Sequence, residues 1–247
     1  MTPDPWLPED ASLDGYRVDA LLHYAHRVDA VLLGVVVVGV VFACLRFGPR
    51  RVAASFTGES HRARLGVLGV ALAVFLLLDG RLFVGTLKDL DEAFWSFDRV
   101  AADPRTVRIE VNAQQWSWSA RYAGPDGVFN TGDDLVTLND IRIPVDRPVF
   151  VQLASADVIH DFSLPNFRIK LDAVPGRIGR MWFQAKKTGA FEIACAQHCG
   201  VNHYKMRGVL TVLPGPTYDA WAREGSAISA RGFDPRDSDA HWGWAWR

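Results

Sequence analysis

The segment Cys195-Ala196-Gln197-His198-Cys199-Gly200-Val201-Asn202-His203-Tyr204-Lys205-Met206 gathers two thiols, an imidazole and a thioether on one short stretch of chain. Soft sulfur ligands select copper, particularly copper that cycles to Cu(I), and imidazole suits both oxidation states. A single-copper electron-transfer site needs one cysteine, a nearby histidine, a methionine and a distant histidine. The second cysteine is surplus to that set, and two thiolates on one loop can bridge two coppers. The distant ligand has to come from another element; His160, in the run Val158-Ile159-His160, is placed to supply it. His198 lies between the cysteines, where its side chain is expected to point away from a shared metal.

Other chemistries fit less of the pattern. A structural zinc site uses Cys and His but gives Met206 no purpose. A disulfide between Cys195 and Cys199 leaves His203 and Met206 unexplained. Covalent c-type haem is excluded because no Cys-x-x-Cys-His occurs. Cys44, alone in an apolar run, reads as a small buried hydrophobe.

The elements that must position these ligands fall into two kinds. The net charge of −1 gives no bulk attraction to nucleic acid. Apolar residues are concentrated in the first third. Val28 to Phe47 is apolar apart from Asp29 near its start and Arg46 at its end, about the 20 residues that an α-helix needs to cross a hydrocarbon core. No signal-peptide pattern accompanies it, since the preceding stretch is acidic. A second span runs from about Leu65 to Leu87 and is interrupted by Asp79-Gly80-Arg81. Either it ends near Leu78 with the charges at the interface, or a partner protein covers them. Arg46, Arg50, Arg51, Arg62 and Arg64 make the connecting loop cytoplasmic. Both termini then lie outside, in the periplasm of a bacterial inner membrane.

Beyond a polar linker over 88–104 the period changes to two. Val107, Ile109 and Val111 alternate with polar residues, as do Trp116, Trp118, Ala120 and Tyr122. Strand-like runs follow at Asp140–Ile143, Val149–Leu153, Val158–Phe162, Gly179–Ala185, Phe191–Cys195 and Gly208–Leu213, a pattern expected of an all-β sandwich. A short helix is expected around Tyr218–Arg223, before a tail ending in three tryptophans.

Three blocks together resemble the cytochrome c oxidase subunit II family. They are Gln115-Trp116-Ser117-Trp118-Ser119, the pair Val158–Phe162 with Lys170–Arg177, and the Cys-x-x-x-Cys-Gly-x-x-His-x-x-Met run. The resemblance implies a two-helix transmembrane hairpin followed by a cupredoxin-like Greek-key β-sandwich carrying the binuclear copper A centre. The boundaries it suggests are an outer tail over 1–25, helices at about 27–47 and 65–87 within 26–87, a linker over 88–104, the copper domain over 105–213 and an extension over 214–247.

Carried over, Cys195 and Cys199 would be bridging thiolates and His160 and His203 terminal ligands. Met206 would be a weak axial ligand and Gln197 would offer its backbone carbonyl. Trp116 falls where electrons enter, although a sandwich also buries a core tryptophan. No residue of this chain is catalytic, and it carries no haem. The implied partners are cytochrome c or an equivalent donor, within a supercomplex or free, together with a haem-bearing catalytic membrane subunit, further oxidase subunits and membrane lipid. The family has Glu where this chain has Gln197, so the usual magnesium site is not expected. The usual Leu-Glu-x-x-Trp at the second helix is also missing. Both departures point to a divergent branch.

A second feature is the acidic turn Asp126-Gly127-Val128-Phe129-Asn130-Thr131-Gly132-Asp133-Asp134. Asp126, Asp133 and Asp134 suit calcium or simply an acidic hairpin tip. With Asp140 and Asp157 the loop could also steer a basic donor. Two rival functions remain open from sequence: the copper subunit of a nitric oxide reductase, and a membrane-anchored copper-binding protein.

Overall fold

The structure is a computed structural model, and it describes residues 6–47, 60–234 and 236. Most of the basic loop and the tryptophans near the C-terminus lie outside those residues. The chain divides into two compact units, Arg17–Glu92 and a second made of Met1–Tyr16 with Ala93–Arg247.

In the first unit two helical segments are long and apolar enough to cross a membrane. One is α1 (Gly15–Arg46). The other is built from α2 (His61–Val74), a π turn at Phe75–Asp79 and α3 (Gly80–Asp89). Their register is antiparallel. Arg17 pairs with Asp89 at 2.7 Å, a Cβ on Gly85 would stand 3.3 Å from Leu21, and the Tyr24 hydroxyl donates to the Leu78 carbonyl at 3.4 Å. The Arg81 guanidinium lies 5.1 Å above the Tyr24 ring, just before the apolar run of α1 begins at Val28. Cys44, read from sequence as buried, is exposed on α1.

The second unit is a two-layer β-sandwich. One sheet has the order β3-β2-β1-β5-β8, formed by β1 (Val107–Gln114), β2 (Ser117–Tyr122), β3 (Leu135–Leu138), β5 (Pro148–Ser155) and β8 (Gly179–Gln184). The other has the order β4-β10-β9-β6-β7: β4 (Asp140–Pro144), β6 (His160–Leu164), β7 (Ile169–Ala173), β9 (Gly189–Cys195) and β10 (Arg207–Leu213). Alternation in β10 shows why this sequence makes a sheet. Gly208, Leu210 and Val212 turn inward while Arg207 and Val209 are exposed, matching the two-residue period of side chains along a strand. Between the sheets Trp118, Ile109, Leu153, Phe162, Ile193 and Leu210 are almost fully buried.

Three elements differ from the sequence expectation. The stretch 88–104 is largely helical rather than a plain polar linker: a π turn at Leu90–Phe94 precedes α4 (Phe97–Ala102). There Val100 and Phe97 pack on Phe150 and Trp182, burying apolar residues that a linker would leave in water. The C-terminal helix α5 (Gly215–Gly232) is longer than expected, because Tyr218 and Trp221 pack against the sandwich core. At the other end, residues 6–14 form a strap across the sandwich. Ala11 donates to the Asn166 carbonyl and accepts from the Lys186 amide, and the Leu13 amide donates to Gln184. Lys186 and Lys187 pair with Asp10 and Glu9.

Ala11 is fully buried, so Ala11→Asp puts an unpaired carboxylate into this seam. It is expected to lower sandwich stability by about 2–3 kcal/mol. A thermal melt of the chain in detergent checks this, and an unchanged midpoint would refute the strap's contribution.

Candidate metal centre

His160 opens β6 opposite Ala173 of β7. Its ring is fully buried, and Nε2 lies 2.9 Å from Asp157 Oδ1. Nδ1 is buried with no hydrogen-bond partner. A buried, unpartnered ring nitrogen is costly unless something coordinates it. Asp157 is itself held by the backbone amides of Gln115 at 2.7 Å and Val158 at 2.6 Å. Partial burial alone would raise its pKa, but the hydrogen bonds from His160, Gln115 and Val158 outweigh that and hold the carboxyl below its usual range.

Cys195 ends β9, and its amide donates to the Met206 carbonyl, closing the loop between β9 and β10. Its thiol lies 3.2 Å from the Gln197 carbonyl oxygen, the backbone atom expected at the site. The Cys199 sulfur is central: 3.7 Å from Cys195 Sγ, 3.6 Å from His203 Nδ1 and 3.7 Å from Met206 Sδ. The sulfur–sulfur distance rules out a disulfide in this structure, which needs about 2.05 Å. Burial first, and then the neighbouring Cys195, push the Cys199 thiol up to about 12.

Among the described residues, His160, Cys195 and Cys199 form a group whose ligand atoms all lie within 4.8 Å of one another. His203 and Met206 join that group through Cys199. Two imidazoles, two thiols, a thioether and one carbonyl form a soft, mixed donor set that fits copper. The buried Nδ1 of His160 is the observation of this structure that calls for a metal.

Trp116 is half-buried, and its indole N–H donates to the Cys199 carbonyl at 3.2 Å. The core tryptophan of the sandwich is Trp118 instead, edge-on to Phe162 at 5.1 Å and to His160 at 6.1 Å. His198 is exposed, its ring 5.5 Å from that of His203, and it stays outside the mutually close group.

The acids expected to steer a donor are engaged within the chain: Asp157 by His160, and Asp140 by Arg142 at 2.8 Å. The structure does not gather Asp126, Asp133 and Asp134 into a cation site either. Asp126 accepts from the Val128 amide and Asp133 from Thr131, both within the loop. Asp134 turns to Arg121, at 3.6 Å. Arg121 is almost completely buried opposite Glu110 and pairs with it, and it also donates to Asn130 at 2.9 Å. The acidic loop therefore carries counter-charge for an arginine. Neither this role nor the support that Gln115 gives Cys199 and Asp157 gives His160 is legible in the sequence; only adjacency to Trp116 and His160 pointed to those two.

Residues 107–213 match the family model for the cytochrome c oxidase subunit II periplasmic domain. The chain is 37% identical over 150 residues to the alternative cytochrome c oxidase subunit 2 of Bradyrhizobium diazoefficiens, covering 52% of this chain and 53% of that protein. It is 30% identical over 148 residues to cytochrome c oxidase subunit 2 of Cereibacter sphaeroides, covering 48% of this chain and 49% of that one. The chain thus spans about half the length of these curated relatives. Among solved structures, the periplasmic domain of subunit II of cytochrome oxidase from Bradyrhizobium japonicum aligns with a TM-score of 0.45 and 31% identity, over 50% of this chain and 96% of that one. With residues 107–213 matching the family model across the two-sheet sandwich and its sulfur–imidazole cluster, this part of the chain belongs to the cytochrome c oxidase subunit II family.

Proposed function

We propose that this chain is the electron-transfer subunit of a respiratory oxidase and that its metal loop holds a binuclear copper A centre. The observation that carries the reading is the Cys199 sulfur, in reach of Cys195, His203 and Met206 at once, with the unpartnered His160 Nδ1 on the same cluster. Cys195 and Cys199 would hold the metals between them, His160 and His203 would bind as end ligands, and Met206 and the Gln197 carbonyl would complete the set. When bound, the copper pair supplies one-electron chemistry between cytochrome c outside the membrane and haem in a separate catalytic subunit where oxygen is reduced.

The protein's own contribution is rigidity. β6 and β9 carry His160 and Cys195, and β10 begins directly after Met206. Asp157 holds Nε2 of the His160 ring and leaves Nδ1 free to ligate, as a supporting carboxylate commonly does for a ligating histidine. The buried Met206 and Trp118 keep water away from the ligands on the core side. Trp116, partly exposed and bonded to the Cys199 carbonyl, is the route we assign for electron arrival.

The strap supports the proposed topology. Residues 6–14 hydrogen-bond to the sandwich, so both lie on one side of the membrane, and the two helices between them cross as a hairpin. The Arg81–Tyr24 contact supports a second crossing that ends near Leu78, with Asp79 and Arg81 at the outer interface. By the positive-inside rule, Arg62 and Arg64 put the loop in the cytoplasm and the sandwich in the periplasm of a bacterial inner membrane. Gln197 removes the carboxylate that magnesium favours, so a magnesium bridge is not part of this proposal.

Electron paramagnetic resonance with copper counting on the full chain in detergent tests the assignment. Two coppers per chain sharing one unpaired electron are expected. A single-copper spectrum, or zinc, would overturn it. Oxygen against nitric oxide consumption by the purified complex then separates an oxidase from a nitric oxide reductase.

A further inference from the structure

The ligands come from two loops far apart in sequence. One carries Asp157 and leads into His160 at the start of β6, and the other runs from Cys195 at the end of β9 to Met206 just before β10. A third segment touches both. The backbone N–H of Gln115 donates to Asp157 Oδ2 at 2.7 Å, and its side-chain Nε2 donates to the Cys199 carbonyl at 2.8 Å. That carbonyl also accepts from the Trp116 indole at 3.2 Å, so both of its lone pairs are used. The next residue is shaped by the same contact. Gly200 has φ +117°, a conformation that side chains rarely adopt, and a Cβ there would stand 3.0 Å from Gln115 Nε2 and 3.2 Å from Trp116 Cζ2.

We propose that Gln115 is a positioning residue that clamps the Cys199–Gly200 peptide against the β1–β2 turn and couples the two ligand loops before any metal is present. Its backbone holds the carboxylate that orients His160, and its side chain holds the peptide that aims the Cys199 sulfur. The loop between β9 and β10 has an exposed crest, with Val201 81% exposed and Tyr204 68% exposed. Without the clamp this crest is free to carry Cys199 out of the protected interior. Neighbouring Gln114 lacks this role: its side chain reaches only Ser117, at 3.4 Å.

The inference rests on the copper reading for its purpose, but its main test needs no copper. In the reduced, metal-free full chain in detergent, alkylation of each cysteine by a maleimide is followed by mass spectrometry. Gln115→Met keeps the side-chain length and the backbone N–H but removes the amide donor. One hydrogen bond of about 1–1.5 kcal/mol corresponds to roughly tenfold, so Cys199 is expected to react about tenfold faster in this variant. Gln114→Met should match the wild type, and Cys44 reports the detergent environment in every sample. Gln115→Asn, too short to reach the carbonyl, should behave like Gln115→Met; it also stands in if the methionine variant does not fold. A Cys199 rate within twofold of wild type in the folded variants would overturn the clamp. After copper loading, the clamp predicts a changed hyperfine pattern in Gln115→Met with the same copper count. An unchanged pattern would also count against it. A wild-type chain that holds something other than two coppers would refute the copper reading while leaving the alkylation result standing.

Discussion

Replacing Cys199 with serine is expected to abolish the two-copper signal and weaken copper retention by more than the roughly 10–100-fold that loss of a supporting residue costs. The Cys199 sulfur meets Cys195, His203 and Met206, and no other side chain of the cluster touches as many. A serine hydroxyl is nearly the same size but hard and poorly acidic, so it does not bridge soft copper. The sandwich should survive, because serine nearly matches the size of this buried side chain and the core centred on Trp118, Phe162 and Leu210 is left in place. Copper counting, paramagnetic resonance and a melt of the same sample separate these effects. Two coppers retained with a mixed-valence spectrum would refute the role assigned to Cys199. Cys44→Ser, on an exposed face of α1, serves as the neutral comparison.

The second large effect is on stability and leaves the metal untouched. Arg121 sits against Glu110, Asp134 and Asn130 with almost no contact with solvent. Phe129 covers it, its ring 5.9 Å from the guanidinium. Removing one member of a buried ion pair leaves an uncompensated charge and costs about 3–5 kcal/mol, the loss expected of Arg121→Met. Burial already raises the carboxyls of Glu110 and Asp134, with Arg121 opposing. Without Arg121 both rise further.

A carboxyl raised in the folded state holds its proton there at pH values where the unfolded chain has lost it. Stability therefore falls as pH rises from the ordinary carboxylate value through the raised one. The deficit of Arg121→Met should accordingly be smaller near about pH 5 than near about pH 7. Denaturation midpoints at both pH values, measured with copper content, check this. A loss below about 1 kcal/mol would mean the group behaves as an exposed pair. Replacing Glu110, Arg121 and Asp134 together by apolar residues should cost much less than Arg121→Met alone.

What the sequence disclosed follows the range of the interactions. The metal loop is local, so residue types and spacing alone pointed to Cys195, Cys199, His203 and Met206. His160 was reachable because a strand-like run surrounds it. Trp116 and Trp118 share one alternating stretch, and only the fold shows which one faces the core. β3 left no alternating signal because it is a four-residue edge strand whose exposed Val136 and Leu138 are as apolar as Leu135, which packs on the core. α1 starts at Gly15 rather than near residue 27, with the Gly15 amide bonded to the Ser12 hydroxyl at 2.7 Å, and its first turns are polar. The hydrogen bonds of Gln115 to Cys199, of Asp134's loop to Arg121 and of Ala11 to Asn166 join distant residues. Such pairings leave no periodic trace, and Asp157 accordingly looked like a surface charge.

The strap also sets a schedule for biogenesis. Ala11 binds Asn166 and Lys186, which a ribosome adds long after it has made Ala11. At about 5–20 residues per second those partners arrive on the order of ten to thirty seconds later. Residues 6–14 therefore wait until the chain past β8 has been made and, in the proposed topology, has crossed the membrane. Their docking is a late seal on the sandwich, and a nascent chain halted before Lys186 should still leave them open to protease.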